Sequence, residues 1–552
     1  MPKKRLIICC DGTWKSSNHA TDEIATNVAR MSHCMSPWYN NNGVQRPQIV
    51  YYVAGLGAEP LTMAKYFYGG FGWGFDEAVG EIYNFLATNF CDGDELFFFG
   101  FSRGAYLALA VANLVCKVGI CTPDIMPLYK YMYAVYQTLT PDQGIQDHLW
   151  VKGTSHRHIT ITVNGKKLHT KEGAGERWFR PGVNRRAKIK IVGAWDTVCS
   201  LGMPRNRYID VSASQKWYSY HSPYIHNDIE NAFQALAIDE HRMAYVPEIW
   251  KLPSESTTNL IQCWFPGVHS NIGGGRNTSE GDLEFLAGIT FSWMIDRCYP
   301  FIEFDEQKLT EVMNWHIEAK AQLIRRMAEQ NPEFIFKPYT GGPMIDSFRG
   351  IGNTVLGSEM RTPGTYYLDA PFPTTNECVH PIRHFISDNL SYRTNFFHNF
   401  IRTPNKDKTG FGWYWERQYR IRVSKGKKKS HVTVKLPEFV IPIHVKSKDS
   451  TVPSWERSFI SGTVAAYQLV ASKEDNAELL GYPKSYQQKW VEKKDYGFMI
   501  ARANGMQQEE RDIADRLGEE NRHFLHPDGT SLPWKHVVQS FPSPVSVTPD
   551  LR

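Results

Sequence analysis

Ser102 stands between Gly100 and Gly104 in LFFFGFSRGAYLALAVANLV, residues 96–115, where an apolar strand pattern runs through a GxSxG turn into an apolar helix pattern. Small residues two positions either side of a serine let a strand turn tightly into a helix, so that the serine projects from the sheet edge as a nucleophile. The N–H groups that open such a helix lie beside the serine, where they stabilise a developing oxyanion. A bare GxSxG is a weak motif. The strand pattern of residues 97–99 before it and the helix pattern after it carry the assignment.

A serine nucleophile needs a base to take its proton and an acid to orient that base. Two later stretches supply them in the order Ser, Asp, His, each after a strand pattern. KIKIVGAWDTV, residues 188–198, alternates β-branched residues up to Ala194 and Trp195 and then presents Asp196 as its first carboxylate. LIQCWFPGVHSNIGGG, residues 260–275, is an apolar run followed by a Gly-rich loop carrying His269. His221, His226 and His241 are rival bases, but the pattern over 228–244, which ends in DEHR, reads as helical. One oxyanion donor is expected from the N–H of Arg103. A second is expected after the first strand pattern, RLIICCDGTW, residues 5–14, where the N–H of Gly12 or Thr13 would face Ser102 while Asp11 holds the loop in shape.

DGTW, YYVAGLG, GFGWGFDEAVGEIYNFL, GDELFFFGFSRGAY, GAWDTVCSLG, NAFQALAIDEHR and FPGVHSNIGGG, in that order over residues 5–275, resemble the blocks of the α/β-hydrolase domain of type VI secretion phospholipase effectors and of many fungal proteins of unknown function. The resemblance implies an α/β-hydrolase fold, with Ser102 as nucleophile, Asp196 as acid, His269 as base, and a lipid or phospholipid ester as substrate. A weaker similarity to the fungal branch continues through GGPMIDSFRG, MRTPGTYY and TNECVHPIRH, residues 341–384. Two positions depart from the pattern. The usual arginine shortly after SRGAY is absent, the helix reading LALAVANL, and Cys199 stands where a small residue, usually Gly, is found. Neither touches Ser102, Asp196 or His269, but both alter the surrounding packing.

Positioning these residues requires a mainly parallel sheet with helices on both faces. Strand patterns at 5–10, 49–53 and 95–100 alternate with helix patterns at 22–34, 75–90 and 103–116. Residues 120–187 interrupt the alternation between the nucleophile helix and the acid strand. This insertion holds the aromatic stretch YKYMYAVYQ and a hairpin pattern, HITITVNGKKLHT, with an Asn164-Gly165 turn. Its place in the chain fits a cap or lid over Ser102. The resulting division is a catalytic domain over 1–304 with its cap at 120–187, and an accessory region over 305–526. That region has a charged helix at 311–330 and two strand patterns joined by SKGKKKSH. A Pro-rich tail without a fixed fold is expected over 527–552.

Lys and Arg total 62 against 57 Asp and Glu in 552 residues, a net charge of +5 that gives no global argument for nucleic acid. Residues 151–190 nevertheless hold eleven Lys or Arg against Glu172 and Glu176, a face suited to an anionic membrane surface or simply to water. The apolar run after Lys3, Lys4 and Arg5 stops at Asp11, too short for a secretory signal, and no run reaches the roughly 20 residues that span a bilayer. Ten cysteines without a CxxC pair fit reduced thiols and a cytoplasmic chain. No cofactor or metal motif is recognised. The expected activity is ester hydrolysis without a cofactor. A soluble carboxylesterase and a non-catalytic binding protein on the same scaffold are the alternatives.

Overall fold

The computed structural model describes residues 3–12, 25–41, 43–55, 73–139, 144–148, 150–151, 159–163, 165–198, 223–253, 255–275, 285–298, 301–305, 307–309, 311–312, 358–366, 375–380, 400–404, 413–422 and 429–437. Thr13, Asn164, Cys199, His221, nearly all of the expected charged helix, residues 424–428 of the SKGKKKSH loop and the Pro-rich tail lie outside the described residues.

An eight-stranded sheet organises the molecule. In chain order its strands are β1 (Arg5–Cys10), β2 (Trp38–Asn41), β3 (Val44–Val53), β4 (Glu95–Phe101), β9 (Ile189–Trp195), β10 (Ile229–Ala237), β11 (Asn259–Phe265) and β12 (Glu377–Val379). They lie side by side in the order β12, β11, β10, β9, β4, β1, β3, β2. All neighbours run parallel except β2 and β3, which form an antiparallel edge. Such a sheet is covered on both faces, so its strands read as continuous apolar runs. Leu6, Ile8 and Cys10 join one core while Ile7 and Cys9, pointing the other way, are equally buried. On the first face lie α2 (Trp73–Asn89) and α3 (Arg103–Val118). On the other, α1 (Asn27–His33), α6 (His269–Gly273) and α7 (Phe285–Cys298) are tied together by Asn27, whose amide donates to the Ile272 and Ala287 carbonyls and to Thr290 Oγ1 at 2.8–3.0 Å.

The insertion carries β5 (Ile120–Cys121), α4 (Tyr129–Tyr136), the hairpin β6 (Thr160–Val163) and β7 (Lys166–His169), α5 (Ala174–Trp178) and β8 (Asn184–Arg185). The hairpin forms as the Asn-Gly turn predicts, with Gly165 at φ 74°. β5 pairs with β8, so the insertion leaves and returns at one place. That place is the end of the sheet opposite Ser102. Arg185 donates to the carbonyls of Ala87 and Phe90, where α2 ends just before β4 begins. From there the insertion climbs α2 until Tyr133 donates to Asp76, in the first turn of α2, at 2.9 Å. In its described residues the insertion packs as an outer layer on α2 and α3.

Two elements differ from expectation. Residues 228–244 open as β10, not as a helix: a strand buried on both faces shows no alternation, and its apolar run mimics a buried helix. The sheet also continues past 304. β12 pairs with β11, and β13 (Ile401–Pro404), β14 (Trp413–Arg422) and β15 (Lys429–Pro437) form an antiparallel sheet whose Trp415, Tyr419, Val434 and Leu436 share a core with Trp264 and Val379. The two expected accessory strands are β14 and β15. The division expected at 304 does not coincide with a break in the sheet.

Candidate active site

Ser102 follows the last residue of β4 and precedes the first residue of α3, at φ 59° and ψ −126°. Positive φ is unfavourable for a residue with a Cβ. Among the described residues only two non-glycine positions have it, Ser102 and Asp196, the latter at φ 44°. Each such conformation costs about 1–3 kcal/mol and persists only where the surroundings impose it. At Ser102 the tight turn imposes it. An added Cβ at Gly100 would run into the backbone of Gly104 and Ala105, and one at Gly104 into the carbonyls of Cys10 and Asp11, so α3 packs directly on β1 and β4.

The parallel strands β4, β9 and β11, the first two adjacent and the third beyond β10, end at the same edge of the sheet and bring Ser102, Asp196 and His269 together. His269 Nε2 is 2.8 Å from Ser102 Oγ, and its Nδ1 is 2.6 Å from Asp196 Oδ2. The carboxylate can only accept, so Nδ1 carries the hydrogen and the Nε2 lone pair faces the serine hydroxyl. His269 opens the short helix α6 and so is not on the loop expected for it. Its ring stacks on Phe101 at 4.7 Å and meets Tyr245 edge-on at 4.8 Å. Burial pushes its pKa below the ordinary histidine value, against the opposing pull of the Asp196 carboxylate. Of the rival bases, His241 bonds Ser358 Oγ at 2.9 Å and His226 lies 3.6 Å from Asp228.

Asp196 is fully buried. Its Oδ1 accepts from the Ala237 N–H at 2.9 Å and from Arg361 at 2.5 Å, and its Oδ2 accepts from Arg361 at 2.9 Å as well as from His269. Arg361 also donates to the carbonyls of Ala237 and Tyr245, both at 2.7 Å. A bidentate guanidinium is the strongest partner a buried carboxylate can have. Burial opposes charge on Asp196, but Arg361 and His269 together hold its carboxyl far below the usual carboxylate range.

A second carboxylate supports the histidine. Glu240 accepts from the His269 N–H at 3.2 Å and from Arg242 at 2.8 and 2.9 Å, and Arg242 lies over the Tyr245 ring at 3.7 Å. Burial disfavours charge there too, but Arg242 holds the Glu240 carboxyl at about 2. Next to it, Asp239 accepts from the Gly267 N–H at 2.7 Å. The DEHR segment is thus the clamp that fixes the His269 turn.

Asp11 is buried and accepts from Thr26 Oγ1 at 2.8 Å and Tyr52 OH at 2.5 Å, which pins the loop after β1. It also accepts from the Gly12 N–H at 2.6 Å. That hydrogen therefore points at Asp11, contrary to its expected role as a donor toward Ser102, and Thr13 lies outside the described residues. Arg103 is the first residue of α3, where its N–H belongs to the positive end of the helix dipole.

Arg361, Glu240, Arg242 and Tyr245 escaped the reading of the sequence. Arg361 lies in the MRTPGTYY block, a visible signal, but its partner is 165 residues away. DEHR was visible as well, and was placed at the end of a helix that is a strand.

The family model described as T6SS, Phospholipase effector Tle1-like, catalytic domain matches residues 4–297. An uncharacterized protein of Saccharomyces cerevisiae is 23% identical over 272 residues, 45% of this chain and 34% of that protein, so the chain spans about a third of the length of this relative. The solved structure of the Tle1 effector bound to the VgrG spike from the type 6 secretion system matches with a TM-score of 0.27 and 18% identity, over 50% of this chain and 51% of that one. The residues matched by the family model are more than half of the 552 and include Ser102, Asp196 and His269. The chain belongs to the family of Tle1-like phospholipase effector catalytic domains.

Proposed function

We propose that this chain is a serine hydrolase that cleaves a lipid ester, most simply that of a phospholipid, through an acyl-enzyme on Ser102. The observation that carries the reading is the unbroken hydrogen-bonded line from Ser102 Oγ through His269 to Asp196, at 2.8 and 2.6 Å. In the proposed reaction His269 Nε2 takes the hydroxyl proton as Ser102 Oγ attacks the ester carbonyl. The N–H of Arg103, at the head of α3, receives the oxyanion. His269 then gives the proton to the departing alcohol, and a water activated by the same nitrogen releases the acid from Ser102. Asp196 stabilises the imidazolium formed in both halves. Arg361 is a positioning residue: it holds the carboxylate that holds the histidine. The phospholipid substrate rests on membership of the family, and the exposed Lys166 and Lys167 of the β6–β7 hairpin fit a site that meets anionic lipid. No helix among the described residues is long and apolar enough to cross a membrane.

The test compares wild type with Ser102→Ala on phospholipid in mixed micelles and on a short soluble ester. Fatty-acid release from phospholipid that disappears in Ser102→Ala supports the reading. Turnover confined to the short ester would make the chain a soluble carboxylesterase, and turnover retained by Ser102→Ala would remove the serine mechanism.

A further inference from the structure

At the other end of the sheet, where β1 and β4 begin, a cavity of about 350 Å³ is lined by Lys3, Arg5, Arg46, Tyr39, Asn40 and Glu95, with Gly93 at its rim. β1 alone separates this end from the Ser102 end by about 20 Å, so the cavity is no part of the ester site. Three cations face one carboxylate in it. The carboxylate is already engaged, since Glu95 accepts from Arg5 Nε at 2.9 Å and lies 3.9 Å from Lys190. Arg5 is fixed, its second contact being Gln48 at 3.2 Å and its guanidinium lying 3.6 Å over the Tyr39 ring. Among the described residues neither Lys3 nor Arg46 has an ion-pair partner. Arg46 Nε is moreover buried with no acceptor among them.

A buried N–H without an acceptor is disfavoured and is normally satisfied by some partner. Here the unmet donor belongs to a cation and lies at a concave site of net positive charge. Two arginines and a lysine converging on one space match the several oxygens of a phosphate, which guanidinium groups bind by paired hydrogen bonds. The volume falls at the lower end of the range for small-molecule sites, so it admits a phosphate with a small organic group attached. We propose that this cavity is a second site, which binds a phosphate monoester through Arg46, Lys3 and the fixed guanidinium of Arg5. The chemistry is that of a free sugar or glycerol phosphate and equally that of a lipid phosphate headgroup.

Two arms separate these sources. Calorimetric titration of the full chain with glycerol 3-phosphate reads the soluble ligand, and flotation with phosphatidylcholine vesicles with and without phosphatidic acid reads the lipid. Saturable binding in at least one arm is expected. Lys3→Gln with Arg46→Gln should weaken it at least tenfold, whereas Lys166→Gln with Lys167→Gln, which removes the same charge from an exposed hairpin, should leave glycerol 3-phosphate binding within twofold of wild type. Arg46→Lys, which keeps the charge but loses the planar fork, should bind more weakly than wild type, and it serves if the double variant does not fold. Absence of binding in both arms, a loss of glycerol 3-phosphate binding in the hairpin variant equal to that in the cavity variants, or wild-type binding by the cavity variants would overturn the proposal. Ester hydrolysis does not enter these readouts, so the outcome is independent of the reading of Ser102.

Discussion

The two non-glycine residues at positive φ, Ser102 and Asp196, are held by opposite means. The turn at Ser102 is built from its neighbours: Gly100 and Gly104 allow the close packing of β1, β4 and α3 that forces the conformation. Asp196 is held from afar, by the Ala237 N–H at the end of β10, by His269 and by Arg361. One site residue is encoded within five positions of chain, the other by contacts across 165. A local device tolerates little change at its own positions, and a distributed one fails when a remote partner is lost.

Breaking the distributed side should have the largest effect on rate. Asp196→Asn removes the acceptor that sets the His269 tautomer, and kcat/KM should fall by roughly 10⁴-fold with the fold intact. A loss under tenfold would take Asp196 out of the mechanism. Arg361→Gln should follow, with kcat reduced about 10²-fold and stability lowered by about 3–5 kcal/mol, because a buried carboxylate is left without its cation. Denaturant titration reads the stability, and the pH dependence of kcat/KM separates positioning from mere folding: without Arg361 the carboxylate pulls harder on the imidazole, and the acidic inflection should move up.

On the local side, Gly104→Ala should destabilise by about 1–3 kcal/mol through overpacking against the carbonyls of Cys10 and Asp11. Its thermal unfolding should shift while an alanine on the exposed face of the β6–β7 hairpin leaves the midpoint unchanged.

These two modes also decide what was legible in the chain. The elbow, the strands before Asp196 and His269, and the β6–β7 hairpin all announce themselves within a dozen residues. β10 did not, since Ile229, Phe233 and Leu236 fall at helical spacing while both faces of the strand are in fact buried. The Asp196 cage and the DEHR clamp were hidden for a different reason: an arginine or a glutamate has no local signature of burial, and only the closed sheet shows which carboxylate meets which cation.

In the proposed reaction His269 acts as a base only when neutral, and burial sets its pKa below the ordinary 6.5. Activity in wild type should therefore be flat through neutral pH and fall only as pH drops through an inflection below 6.5. The same depressed values for His269 and Asp196 mean that folding stability is present above their unfolded pKa values and lost as pH falls through the folded ones. An inflection above 7 would show an imidazole far more exposed to the carboxylate than to burial. The smallest effect is expected at the hairpin, where Lys166→Glu with Lys167→Glu should weaken binding to anionic vesicles severalfold without changing hydrolysis of a short soluble ester.

Covalent labelling asks whether Ser102 is the nucleophile. The protein is treated with a fluorophosphonate, digested, and the modified peptide identified by mass spectrometry. The account predicts one adduct, on the serine of GFSRGAY, formed at full rate in wild type, slowed in Asp196→Asn and absent in Ser102→Ala. An adduct on another residue, or undiminished labelling of Ser102→Ala, would contradict it.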